Sequence, residues 1–280
     1  MRVLVIGRGP VARVLVTSMA PVHELTLAVR EPAADSLLVT TNRLRGTRSA
    51  ERRVGLTAID APARDWDVVI STASPAAPEV ARLLGASATV AAVTQVPSEV
   101  ARLRELAGER PWGLVVPEFF AAEDWWWQPG RFRFTTTGPP SLRSLFARPQ
   151  WTRRASSAAP LVSAAGMMPV VAGLQAADFD LTAARRAARP LALAATQARN
   201  AVAAEFGVRR PKAVRPAAVR AALTVLPRLA PFDVRQHLRN HFGGHSAQTV
   251  RMLHDWIELG RRHDLPVNEL EALLPSAVAG

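Results

Sequence analysis

The stretch "MRVLVIGRGPVARVLV", Met1 to Val16, poses the first question: does Gly7-Arg8-Gly9 cradle a nucleotide or merely turn a corner? Val3 to Ile6 form an unbroken apolar run that closes on Gly7. Pro10-Val11-Ala12 then leads into a second apolar stretch from Val14 to Met19. An apolar run, a glycine turn and a second apolar run predict a buried strand, a sharp turn and a helix. Two glycines alone cannot decide between the two uses, so the rest of the chain must.

The chain has 280 residues, 49% of them hydrophobic, enough for a full core and for two domains. No apolar run is expected to reach the ~18 residues that span a bilayer, and the first residues lack a signal-peptide layout. These features predict a cytoplasmic protein with no membrane partner. Cysteine is absent, which excludes disulfides, thiolate metal sites and cysteine nucleophiles. Tyrosine is absent too, so no tyrosine can donate a proton. The only lysine is Lys212, in the polar stretch "GVRRPKAVRP". The net charge of +12 comes almost wholly from arginine, scattered along the chain with no basic stripe of interleaved aromatics. That pattern reads as a solvated basic surface rather than a nucleic-acid partner.

Further strand-like runs follow the first: "ELTLAVR" (24–30), "WDVVISTAS" (66–74), "ATVAAVTQ" (88–95) and "WGLVVPEFF" (112–120). Between them "PAAPEVARLLG" (75–85) and "SEVARLRELAG" (98–108) carry helical apolar spacing and terminal glycines. Strands alternating with helices predict a doubly wound parallel sheet. "RFRFTTTG" (131–138) alternates at period two and predicts an added strand, while "GTRSAERR" (46–53) reads as an exposed loop. In "EDWWWQPG" (123–130) three consecutive tryptophans cannot share one face, so at least one is expected in the core. From about Ala155 the texture becomes alanine-rich with period 3.6, and "SAQTVRMLHDWIELGRRHDLP" (246–266) is an amphipathic helix with Ser246 as N-cap. The expected fold is therefore α/β, a Rossmann-like doubly wound sheet over 1–155, followed by an all-helical domain over 156–280.

With that context "GRGPVA" gains meaning. Gly7 permits the tight turn, Gly9 lets backbone approach a pyrophosphate, and Ala12 is small enough for close helix–strand packing. The amides of Pro10-Val11-Ala12's helix start, apart from proline's missing one, favour phosphate. Arg30, at the end of the second strand, suits the extra phosphate of NADP, although Glu31 follows it. His237, His241 and His245 fall at i, i+4 and i+8, but Gly243-Gly244 breaks their helix and no acidic ligand joins them. No metal is expected.

These features together resemble the ketopantoate reductase superfamily, nearly end to end. "DVVISTAS" (67–74), "VTQVPSEVARL" (93–103), "FRFTTTG" (132–138), "SAAGMMPVVAGL" (163–174) and "LGRRHDLPV" (259–267) are similar to its segments in order and spacing. The resemblance implies a cofactor set of Gly7, Gly9, Pro10, Val11, Ala12, Arg30, Thr72 and Ala73, with NADP as cofactor. It implies a homodimer acting on a small molecule. The departures are equally informative. The family's proton-donating lysine falls near Pro160, its helix asparagines at Ala164 and Met168, and its fourth-strand lysine at Ser74. The asparagine of its "QNG" segment falls at Val96, and its last-domain Ser/Thr and Glu fall near Ser246 or Ala247 and at Gln248. Almost none of the polar groups for ketopantoate remain. "RNHFGGHSAQT" (239–249) instead resembles an "HF…QT" pattern of a subgroup, which makes His241, His245 and Gln248 the candidate catalytic residues. The expected function is NADP-dependent oxidoreduction of a carbonyl or imine in a fairly apolar substrate other than ketopantoate. The alternative is a catalytically silent binding protein of the same descent.

Overall fold

The structure, a computed structural model, describes residues 1–45, 49–61, 64–123, 125–243 and 246–274. It divides into two compact units, Met1–Ser157 and Ala158–Gly280.

The first unit begins as its sequence dictates. The apolar run forms β1 (Arg2–Ile6), and Pro10, whose fixed φ suits a first helical position, starts α1 (Pro10–Ser18). β2 (Glu24–Val29) follows, then β3 (Ser36–Arg43), β4 (Ser49–Ala58), β5 (Trp66–Ser71), α2 (Pro78–Gly85), β6 (Ser87–Ala92), α3 (Pro97–Ala107) and β7 (Trp112–Pro117). The strands β7-β6-β5-β1-β2-β4 lie in that spatial order and all run parallel. The chain winds outward from β1 through β2 to β4, then returns to β5 and winds the other way. The order therefore reverses between β1 and β5, which is where open α/β sheets take their ligands.

Short elements extend the sheet: β8 (Phe120–Ala121), β9 (Trp125–Trp127), β10 (Phe134–Thr136), α4 (Pro140–Ser144) and β11 (Thr152–Arg154). The alternation of "RFRFTTTG" predicts an added strand, and β10 is that strand, running antiparallel to β7. Trp126 and Trp127 are both buried, at 4% and 8% exposure, so the tryptophan triplet does supply core. One apolar cluster joins β1, α1, Trp126, Phe134 and the Leu145-Phe146 segment after α4.

Two expectations need correction here. The stretch 46–53 is not simply a loop. Ser49–Arg53 belong to β4, paired antiparallel with β3, while residues 46–48 lie outside the described residues. The β3–β4 pair replaces the helix that commonly links the second and third parallel strands, because β-branched Val39 and Thr41 alternate inward along β3. Gly85 also does not cap α2, whose cap is Ala86, whereas Gly108 caps α3 with φ +58°.

The second unit is helical: α5 (Ala158–Ala176), α6 (Leu181–Arg186), α7 (Ala188–Glu205), α8 (Pro216–Leu229), α9 (Val234–Gly243), α10 (Ser246–Arg262) and α11 (Asn268–Glu271). Small residues let α5 and α7 approach closely. A Cβ added at Gly173 would sit 2.3 Å from a Leu191 methyl. α10 inserts Met252, Leu253, Trp256 and Ile257, and Trp256 is wholly buried. The apolar spacing read from the sequence thus reproduces α10. α5 corrects the expectation that no apolar run is membrane-long: its 19 residues have hydropathy 1.4, enough by length and composition to cross a bilayer. Yet 56% of that window is buried inside the protein, as in a core helix of this alanine-rich unit.

Candidate functional site

Gly7 follows the last residue of β1 and holds φ +109°, a conformation side-chain-bearing residues rarely adopt. Its amide donates to the Ala28 carbonyl at 2.9 Å, fixing the turn against the end of β2. On its other side a Cβ would meet Thr72 Oγ1 at 2.3 Å. Thr72 follows β5, and both its amide and its hydroxyl donate to the Ile6 carbonyl, at 3.0 and 2.8 Å. The glycine is required by packing at the switch point itself.

Gly9 is different. It is exposed, has ordinary extended backbone (φ −65°, ψ 175°), and a Cβ there would meet nothing within 4 Å. No protein packing demands a glycine at this position. What it leaves is open space in front of the first turn of α1, where Gly9 caps the helix without a side-chain hydrogen bond. Pro10 has no amide hydrogen, and the amides of Val11 and Ala12 have no carbonyl one turn earlier in the helix. Ala12 is buried and packs the helix onto the sheet. An exposed glycine beside uncapped helical amides leaves room and free N–H donors for an anion.

Arg30 stands one residue past β2, exposed, with no ion pair or hydrogen bond to its side chain among the described residues. Its register follows from Ile6 pairing with Ala28, so it rims the same carboxyl edge as Gly7. Ala73 is exposed on that edge, its amide donating to Ser71 Oγ at 3.1 Å. The eight residues expected to hold the cofactor all lie in the first unit, at the ends of β1, β2 and β5 and in the first turn of α1, with Ala12 buried beneath it. Sequence reading did not single out Thr94 and Glu99, which shape the loop after β6. Thr94 Oγ1 donates to the buried Glu99 carboxylate at 2.6 Å and accepts from the Val96 amide at 3.2 Å. The visible signal was a threonine just ahead of Pro97 with a glutamate in the first helical turn.

The remaining candidates belong to the helical unit. His241 is exposed on α9, its ring stacked parallel on His237 at 5.9 Å and edge-on to Phe242 at 4.7 Å. Burial lowers the pKa of His237 below the ordinary histidine value. Gln248 is exposed in the first turn of α10, next to Thr249, whose hydroxyl is buried and has no hydrogen-bond partner among the described residues. His245 lies outside the described residues, and the side chain of Ser246 is likewise not described. Among the described residues no three histidine or acidic side chains gather as a metal site.

No family model matches the sequence, and no curated protein does. Solved structures do match, over nearly the whole chain. The 2-dehydropantoate 2-reductase of Geobacter metallireducens GS-15 is 11% identical with a TM-score of 0.65, covering 98% of this chain and 97% of that one. The dimeric ketopantoate reductase of Staphylococcus aureus is 12% identical, TM-score 0.60, with 98% and 97% covered. D-mandelate dehydrogenase in complex with NADH is 8% identical, TM-score 0.64, with 98% and 96% covered. The fold is that of the ketopantoate reductases. On this ketopantoate reductase fold, Pro160, Ala164 and Met168, the positions read as the family's lysine and asparagines, are all buried in α5. Of the residues of α5 only Ser163 and Gln175 carry polar side chains, and Gln175 is bonded to the Phe242 carbonyl at 2.9 Å. Lys212 is exposed in the segment between α7 and α8, as its polar surroundings predict.

Proposed function

We propose that this protein is an NADP-dependent oxidoreductase acting on a carbonyl or imine of a small, fairly apolar substrate other than ketopantoate. The observation that carries the reading is Gly9: an exposed glycine that the fold does not need, at the one turn where a dinucleotide needs it. Gly7, Gly9, Val11 and Ala12 would hold the pyrophosphate, and Arg30 the 2′-phosphate. Thr72 and Ala73 would flank the nicotinamide side of the switch point. When bound, the nicotinamide supplies or accepts a hydride at C4. The chain's own task is to orient the substrate and move one proton. With cysteine and tyrosine absent and Lys212 exposed, histidine is the donor whose charge changes near neutral pH. His241 is the candidate acid, with His245 and Gln248 beside it in sequence. The dimeric neighbour supports a homodimer acting on a small molecule.

Two results check this reading. Arg30→Ala is expected to remove most of the preference for NADPH over NADH, roughly tenfold or more, because a guanidinium–phosphate contact is charge-assisted. Equal affinities for the two cofactors in the wild type would remove Arg30 from the site. His241→Gln keeps polarity and size but cannot titrate near neutrality. It is expected to lower turnover by roughly 10²-fold while melting temperature and NADPH affinity stay at wild-type values. A fall in melting temperature with unchanged activity per folded molecule makes His241 a packing residue.

A second reading has its own observation. The position read as the family's lysine holds buried Pro160, and α5 offers only Ser163 and Gln175 as polar side chains. A chain that binds nucleotide without turnover fits that fact. NADPH binding without NADPH consumption across a panel of ketones, aldehydes and imines would select it.

A further inference from the structure

At the far end of α1 from the glycine turn lies a cavity of about 530 Å³, lined by residues of the first unit alone. The nine residues of α1, at about 1.5 Å rise each, separate the two places by some ~13 Å. Among the described residues the lining includes four arginines and no carboxylate. Three of them form a ladder with two indoles. The Arg43 guanidinium lies 5.4 Å from the Trp126 ring, Arg133 lies 4.3 Å from Trp126 and 4.7 Å from Trp151, and Arg148 lies 4.4 Å from Trp151.

Arg133, in the middle, has one hydrogen bond from the cavity wall, donated to Ser18 Oγ at 2.8 Å. Its Nε is buried with no partner. None of the three guanidiniums has a carboxylate at ion-pair distance among the described residues. Burial, with Arg43 and Arg148 as like charges, brings the Arg133 pKa down to about 10. Three converging cations that the protein itself leaves without a counter-charge, around a concave space of ligand size, call for an anion from outside.

We propose that this cavity is a second binding site, selective for a small oxyanion of two or more negative charges such as a phosphate ester or dicarboxylate. Arg43 and Arg148 would grip it from the open side, Arg133 would meet it from below, and Trp126 and Trp151 would keep the guanidiniums parallel and oriented. A half-open concave space of about 530 Å³ fits a small molecule better than the continuous backbone of a nucleic acid, for which a long basic groove is the usual form. The site does not rest on the oxidoreductase reading, since it shares no residue with the glycine turn.

The test is calorimetric titration of inorganic pyrophosphate, and separately of succinate, into the full chain at constant ionic strength, with chloride as control. Pyrophosphate could also enter the glycine turn, so the variants are chosen to tell the two places apart. The expected result is saturable binding of at least one dianion. Arg43→Gln/Arg148→Gln weakens it about tenfold or more, and Gly9→Ala leaves it unchanged. Arg43 and Arg148 are exposed whereas Arg133 is half-buried, so the double variant retains the fold. Three outcomes overturn the proposal: no saturable heat with either dianion, binding that survives Arg43→Gln/Arg148→Gln, or binding abolished by Gly9→Ala. In those cases the ladder's charge is balanced by the indole faces and the carbonyl end of α1 alone.

Discussion

Gly7→Ala is expected to destabilise the first unit by about 2–4 kcal/mol, whereas Gly9→Ala leaves stability at or slightly above wild type. The two glycines are two residues apart in one turn, and their environments are opposite. At Gly7 the new methyl must occupy φ +109° and collide with Thr72 Oγ1 at 2.3 Å. Thr72 cannot yield freely, because its hydroxyl is bonded to the Ile6 carbonyl. At Gly9 the backbone is already extended and the space is empty. The methyl there narrows only the approach to the α1 amides, so NADPH affinity is expected to fall by roughly tenfold or more with no thermal penalty. Thermal melting and cofactor titration of both variants read these effects separately. Gly9→Ala binding NADPH as tightly as wild type would mean the turn is a corner and nothing else.

Ketopantoate is expected to be a poor substrate, turned over some 10²–10⁴-fold more slowly than a positioned general acid would allow. Proline at position 160 cannot donate a proton, and Ala164 and Met168 offer no hydrogen bond to a carboxylate or hydroxyl. All three are buried within α5. Burying a carboxylate beside such a surface without partners costs several kcal/mol, so binding as well as chemistry is impaired. Steady-state NADPH oxidation with ketopantoate tests this. Robust turnover would show that the start of α5 does not correspond to the family's lysine position, and would also rescind the more apolar substrate.

The strands β1, β2, β5, β6 and β7 and the glycine turn were legible because each rests on local chemistry. Val3 to Ile6 must be buried, Gly7 must turn, and Pro10 must start a helix; no distant residue alters those demands. The β3–β4 pair was not legible to the same degree. β3 is mostly exposed and β4 mostly half-buried, so Leu37 and Leu38 break the inward alternation that Val39 and Thr41 set, and the hydrophobic pattern is faint. The arginine ladder was invisible for another reason. Arg43, Arg133 and Arg148 are scattered in sequence, and scattered charge reads as solvated surface. The sheet brings β3 beside β9, and Trp126 and Trp151 then align the three guanidiniums. Tertiary pairing, not spacing, makes that site. The candidate catalytic residues stand between these cases: "RNHFGGHSAQT" was reached by resemblance and by elimination of other proton donors, and its described part carries His241 and Gln248 exposed on α9 and α10.

The most direct measurement is isothermal titration of NADPH and NADH into the purified full-length chain. The account predicts a single saturable site per chain for NADPH, tighter than for NADH, with the difference removed by Arg30→Ala. Absence of binding by either cofactor contradicts it, and would leave Gly7-Arg8-Gly9 as a turn between a strand and a helix.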